Sequence, residues 1–304
     1  AINMFKVPPT MGLLMADLGI GPALGGWLMT VPTVTGLILA LPSGGLTDKF
    51  GPKKVGLFAI LSAAVGSLIG SFAPNIELLL FSRFVEGLSF ALIGVAVPAI
   101  IALWFSPEKS GAPMAIWSGW VPIGMLAIFT GANLFIAADD PGTWANVWWL
   151  STALLVAAAV LYLIFVKAPK GYAGEDAPKI SLVEGMKSPS TWLLAVVFAM
   201  FAFIMYAVST FAPTYCMEEL GYSLEDSNLY SSLITVGMIL GVVLMTPVLN
   251  KVVRLKSRIW LLVASMVLTA LIAVLAFNVP PSATVAVMII TGIVLQLVPA
   301  VIWP

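Results

Sequence analysis

The sequence predicts an all-α, polytopic membrane helix bundle built as two pseudo-symmetric halves, and three observations carry that prediction. Of 304 residues, 61% are hydrophobic and only 9% charged, with a mean hydropathy of +1.07. Soluble domains run near 25% charged, and so few charges cannot coat the surface of a water-soluble chain of this length. Apolar runs near 20 residues, long enough to cross a hydrocarbon layer about 30 Å thick, recur between short polar breaks. The third observation is that the cations crowd into every second break.

Taken in order, residues 1–16 read as the tail of a span, and nine complete spans follow near 24–46, 55–73, 77–104, 112–137, 146–166, 191–215, 229–249, 259–277 and 283–303. The chain begins without an initiator Met or a cytoplasmic flank and stops at Trp303-Pro304, so both ends are expected to be cut. Helices are the only element for these runs, because a lipid-facing backbone must satisfy its own hydrogen bonds and the runs lack the alternation of a barrel strand.

Lys49, Lys53 and Lys54, then Lys109, then Lys167, Lys170, Lys179 and Lys187, then Lys251, Arg254, Lys256 and Arg258 make 12 of the 14 cations. The opposite connections carry Asp17, Asp139, Asp140, Glu218, Glu219, Glu225 and Asp226. By the positive-inside rule, the cation-bearing loops face the cytoplasm. The longest interior polar stretch, with Pro169, Gly171, Gly174 and Pro178, reads as a linker over 168–190 between an N-terminal bundle, 1–167, and a C-terminal bundle, 191–304. A basic connection after the second span, Asp48 to Lys54, has a counterpart at Asn250 to Lys256, which suggests a duplicated bundle.

Composition also excludes functions. Fourteen basic residues balance fourteen acidic ones, so no net field attracts nucleic acid. The absence of His removes His-based triads and most zinc sites. Cys216 is alone and reads as packing, and no phosphate-binding GxxxxGK[ST] loop is present. An enzyme is not expected, nor any cofactor or metal.

Gly44-Gly45-Leu46-Thr47-Asp48-Lys49-Phe50-Gly51-Pro52-Lys53-Lys54 fits G-x-x-x-D-[RK]-x-G-x-[RK]-[RK] in a cytoplasmic turn. This resembles the signature loop of the major facilitator superfamily. Gly44 is expected to let helix backbones approach, Gly51 to permit a tight turn, and Asp48 to pair with cations or a helix N-terminus. The resemblance implies a gating role for Gly44, Asp48, Lys49, Gly51, Lys53 and Lys54. Arg83-Phe84-Val85-Glu86-Gly87 fits the family's R-x-x-x-G pattern, whereas Gly119-Trp120-Val121-Pro122-Ile123-Gly124 meets its antiporter pattern only in part. The family has twelve spans with a site between the halves. The layout is also similar, more weakly, to cyanate and nitrate/nitrite type permeases.

Three ionisable residues fall well inside spans, Lys6, Arg83 and Glu86, each costing about 2.5–3.5 kcal/mol on insertion scales. With a first span ending near Leu14, Lys6 lies about 12 Å deep and Arg83 about 9 Å deep at about 1.5 Å per residue. The resemblance places the first and fourth helices around a central cavity, so two cations at one level would leave a positive surplus for an anion. Glu86, three residues after Arg83, can pair with it. It is either a proton-coupling carboxylate or a static partner. Arg83 and Lys6, with Asn3, Tyr206 and Gln296, are the expected substrate contacts. Ser209, Thr291, Trp117 and Trp120 are possible walls. Trp144, Trp148 and Trp149 read as interfacial anchors.

The expectation is a monomeric secondary transporter in a bacterial cytoplasmic membrane, moving a small anion by alternating access with protons as the coupling ion. Its partners are that solute, protons and the lipid bilayer. The alternatives are an exporter of hydrophobic drugs and a non-transporting sensor on a transporter scaffold.

Overall fold

A computed structural model describes residues 1–106, 109–167, 187–249, 255–278 and 280–302. Among them the regular structure is helical: α1 Met11–Leu18, α2 Pro22–Phe50, α3 Pro52–Ser71, α4 Ile76–Trp104, α5 Gly111–Ser118, α6 Trp120–Gly131, α7 Trp144–Phe165, α8 Pro189–Glu218, α9 Leu224–Leu249, α10 Leu255–Ala276 and α11 Thr284–Ile302. Eight of these segments are long and apolar enough to cross a membrane. Large apolar side chains such as Leu37, Phe203 and Trp260 are about three-quarters exposed along them, which suits a lipid solvent.

Local chemistry sets the boundaries. Pro22, Pro52 and Pro189 open helices, where a missing N–H costs nothing. Asn75 caps α4 by accepting the Leu78 N–H at 3.0 Å. Gly51 joins α2 to α3 at φ +82°, a conformation open to glycine, so the tight-turn expectation holds there.

Two expected spans differ from the sequence reading. The run at 112–137 is two helices with a break at Gly119 and a 3-10 turn, Ala132–Leu134, at its end. Pro122 explains the break: it has no N–H for the Ser118 carbonyl, and its ring crowds that carbonyl. The first segment is helical only from Met11, and residues before it run through turns and a 3-10 helix at Pro8–Thr10. A helical rise does not give the depth of Lys6.

The chain falls into two compact units, Ala1–Val121 with Gly131–Ala177, and Pro122–Thr130 with Pro178–Pro304. In the first, α3 lies against α4 and α7 while α2 lies against α4. In the second, α9 and α10 pack on α11, and α8 on α9. Most of the expected linker, 168–186, and the counterpart loop at 250–254 lie outside the described residues.

Candidate functional site

The buried charges of the first unit converge on Glu86. Its Oε1 accepts from Lys6 Nζ at 2.7 Å, and its Oε2 accepts from Arg83 Nη1. Lys6 and Arg83 are fully buried and Glu86 is 4% exposed. The sequence reading of one carboxylate between two cations therefore corresponds to one cluster, carrying one surplus positive charge. Among the described residues these are the ion pairs present.

Main-chain oxygens that lack a helical partner complete the guanidinium's surroundings. Arg83 Nε donates to the Leu28 carbonyl at 2.7 Å, and Nη2 to the Met4 carbonyl at 3.0 Å. Within α2 the Leu28 carbonyl would accept from residue 32, which is proline and has no N–H to give. Met4 lies in the turns before Pro8, outside any helix, so its carbonyl has no helical donor. Nη1 also donates to the Asn3 carbonyl at 3.0 Å, and the Met4 and Met29 sulfurs approach Nη2 at 3.8 and 4.0 Å. Of the five guanidinium hydrogens, none is left over for a solute in this arrangement.

Lys6 is held as closely. Its ammonium donates to Asn3 Oδ1 at 2.9 Å and Ser67 Oγ at 2.8 Å besides Glu86, and it sits 4.4 Å from the Trp148 ring centroid. Trp148 is fully buried, so its expected role as an interfacial anchor is replaced by a wall of the charge cluster. Trp144 is buried too and donates to Asp17 Oδ2 at 2.8 Å. Trp149, 42% exposed, keeps an anchor's position. Close helix contact makes room for all this: a Cβ on Gly66 would fall 2.6 Å from Glu86 Cγ and 2.8 Å from its backbone N.

Ser67, Trp148 and the carbonyls of Leu28 and Met4 were not anticipated as members of the site. The available signal for the Leu28 carbonyl was the position of Pro32, four residues downstream in the same helix. Asn3 does join the cluster, through both its side chain and its backbone.

The signature turn is more open than expected. Among the described residues, a Cβ on Gly44 would meet nothing within 4 Å. Asp48 is exposed and makes no ion pair among the described residues. Lys49 and Lys54 are exposed, Lys49 lying 5.3 Å from the Phe50 ring centroid, and the Lys53 carbonyl accepts from Tyr162 OH at 3.1 Å.

In the second unit, Tyr206 and Gln296 are partly buried, and the Gln296 stem lies where a Cβ on Gly241 would be. Ser209 is buried there, and Thr291 donates to its own helix at the Val287 carbonyl. Trp117 and Trp120 of the first unit stack on each other at 5.3 Å. Cys216 is a buried free thiol.

Long apolar helices and a desolvated charge cluster define a multi-pass membrane protein. The sequence profile of the Major Facilitator Superfamily matches residues 1–303, and the chain belongs to that family. It is 25% identical over 273 residues to the "Probable nitrate/nitrite transporter NarK2" of Mycobacterium tuberculosis, covering 87% of this chain and 66% of the relative. It is 26% identical over 200 residues to the "Multidrug resistance protein B homolog" of the same species, covering 55% and 36%. The chain thus spans about two thirds of the first relative's length and about a third of the second's. The crystal structure of a bacterial homolog to the human lysosomal transporter Spinster, inward-facing and unoccupied, shares the fold with a TM-score of 0.74 at 16% identity, over 99% of this chain and 71% of that one.

Proposed function

We propose that this chain belongs to a secondary transporter that moves a small anion by alternating access, coupled to protons. The observation that carries this reading is the Lys6–Glu86–Arg83 cluster, two cations and one carboxylate buried together in a lipid-embedded unit. Charge balance supplies the coupling. With Glu86 ionised the cluster stands at one positive charge, and protonating Glu86 raises it to two. An anion arriving with that proton restores the original value, so the two bind best together. At about 4 Å and an effective dielectric near 20, one such charge pairing is worth roughly 4 kcal/mol.

In this reading Glu86 takes the proton and releases Lys6 and Arg83 from their present bonds toward the anion, with Asn3 as a further contact. The turn containing Gly44, Asp48, Lys49, Gly51, Lys53 and Lys54 gates the cytoplasmic side. The nitrate/nitrite relative supports an anionic solute. The multidrug-resistance relative keeps a second reading, an exporter of hydrophobic compounds, whose flux would not depend on a negative solute charge.

Uptake into proteoliposomes containing the full-length protein, with nitrate, cyanate and a series of monocarboxylates under an imposed pH gradient, tests the proposal. Gradient-driven uptake of an anion is expected, with loss of coupling in Glu86→Gln. Normal anion uptake by Arg83→Ala would remove the central cation from the mechanism.

A further inference from the structure

Lys6 ends in a site that is more complete than a single ion pair requires. Three side-chain oxygens from three separate segments meet its three ammonium hydrogens: Asn3 Oδ1 at 2.9 Å, Ser67 Oγ of α3 at 2.8 Å and Glu86 Oε1 of α4 at 2.7 Å. These are the lengths of charge-assisted hydrogen bonds. Ser67 is fixed as an acceptor, because its own hydrogen goes to the Trp148 carbonyl at 3.0 Å. The Trp148 ring of α7, with its centroid 4.4 Å from the nitrogen, adds the electron-rich face that favours an organic cation. Ser67, Trp148 and Lys6 are completely buried.

We infer that the first unit contains a binding site for a primary ammonium group, formed by Asn3, Ser67, Glu86 and the Trp148 ring and filled in this chain by the head of Lys6. The aliphatic stem of Lys6 serves as a tether. The one direction without an acceptor is the N–C bond, where methylammonium would carry its methyl group. An alkali ion could use the oxygens but would gain less from directional hydrogen bonding. The site follows from the first unit's geometry alone and does not depend on what the protein carries.

The test uses thermal melting of the purified full chain in detergent, in choline chloride and in methylammonium chloride at equal ionic strength. Lys6→Ala is expected to melt lower than the parent in choline. It is expected to regain at least half of that loss in methylammonium, with saturation. The parent is expected to melt alike in both salts, because its site is already full. Lys6→Met, which fills the space with an apolar chain, and Lys6→Ala/Glu86→Gln, which removes the counter-charge, are expected to show no recovery.

No loss of melting temperature for Lys6→Ala in choline, no recovery of it in methylammonium, equal recovery by Lys6→Met, or failure of Lys6→Ala to give monodisperse protein even when solubilised in methylammonium would overturn the assignment. Asn3→Asp in the parent gives a second test: a carboxylate at 2.9 Å from a buried ammonium is expected to hold or raise the melting temperature, and a fall counts against the site. Chloride is common to both salts and no flux is measured, so failure of these tests would leave the transport proposal standing, and absent anion flux would leave this site standing.

Discussion

Replacing Pro32 by alanine tests whether the missing N–H at that position is what seats Arg83. Alanine supplies an N–H whose helical acceptor is the Leu28 carbonyl, the oxygen now bonded to Arg83 Nε at 2.7 Å. Two effects then oppose each other. Removing a proline from a helix interior gains up to about 3 kcal/mol. Weakening a hydrogen bond from a charged donor loses about 1.5–3 kcal/mol.

Pro42 lies in the same helix and has no comparable connection to Arg83, so Pro42→Ala reports the first effect alone. The expected difference is that Pro42→Ala stabilises more than Pro32→Ala, by roughly 1.5–3 kcal/mol. Differential scanning fluorimetry of the two variants beside the parent reads this directly. Equal stabilisation by both substitutions would refute the idea that the missing N–H at Pro32 is what seats the guanidinium.

Other substitutions are read in the same melting assay. Glu86→Gln leaves two buried cations without their counter-charge and should cost about 3–5 kcal/mol. Adding Lys6→Met returns the cluster to one surplus positive charge, so melting of the double variant should show a smaller loss than the sum of the single ones. Gly66→Ala sets a methyl group 2.6–2.8 Å from Glu86 Cγ, the Glu86 backbone N and the Ser82 carbonyl; a cost of about 1–3 kcal/mol or more is expected in the same assay. Gly51→Ala forces an L side chain into φ +82°, ψ +146°, a region essentially reserved for glycine, and should cost about 1–3 kcal/mol, whereas Gly45→Ala, with open space around its Cβ, should be close to silent.

Much of the architecture was legible from composition and span length, because both are summed over many residues and survive local errors. The three membrane charges stood out for the same physical reason that they cluster: each is costly alone. What escaped was local. The break in the run at 112–137 depends on one ring, Pro122, acting on one carbonyl, and hydropathy does not register it. A packing role for Gly44 rests on its residue type alone, and among the described residues nothing lies within 4 Å of where its Cβ would be. Trp148 was placed at the interface by its position near a polar connection. Burial against Lys6 overrode that preference, since a ring face near an ammonium and a tight fit against Gly70 exist only in three dimensions.

An alanine scan directed at the neighbours of Arg83 would misread this protein. Exchanging the side chains of Met4 and Leu28 leaves their carbonyl oxygens in place, so any loss there reports buried packing and the Met4 sulfur contact while the two carbonyl bonds that hold the guanidinium persist. The sensitivity of the Leu28 carbonyl would be displaced along α2 to Pro32. Mutational maps of such membrane helices therefore need to be read with an offset of one helical turn wherever a proline follows.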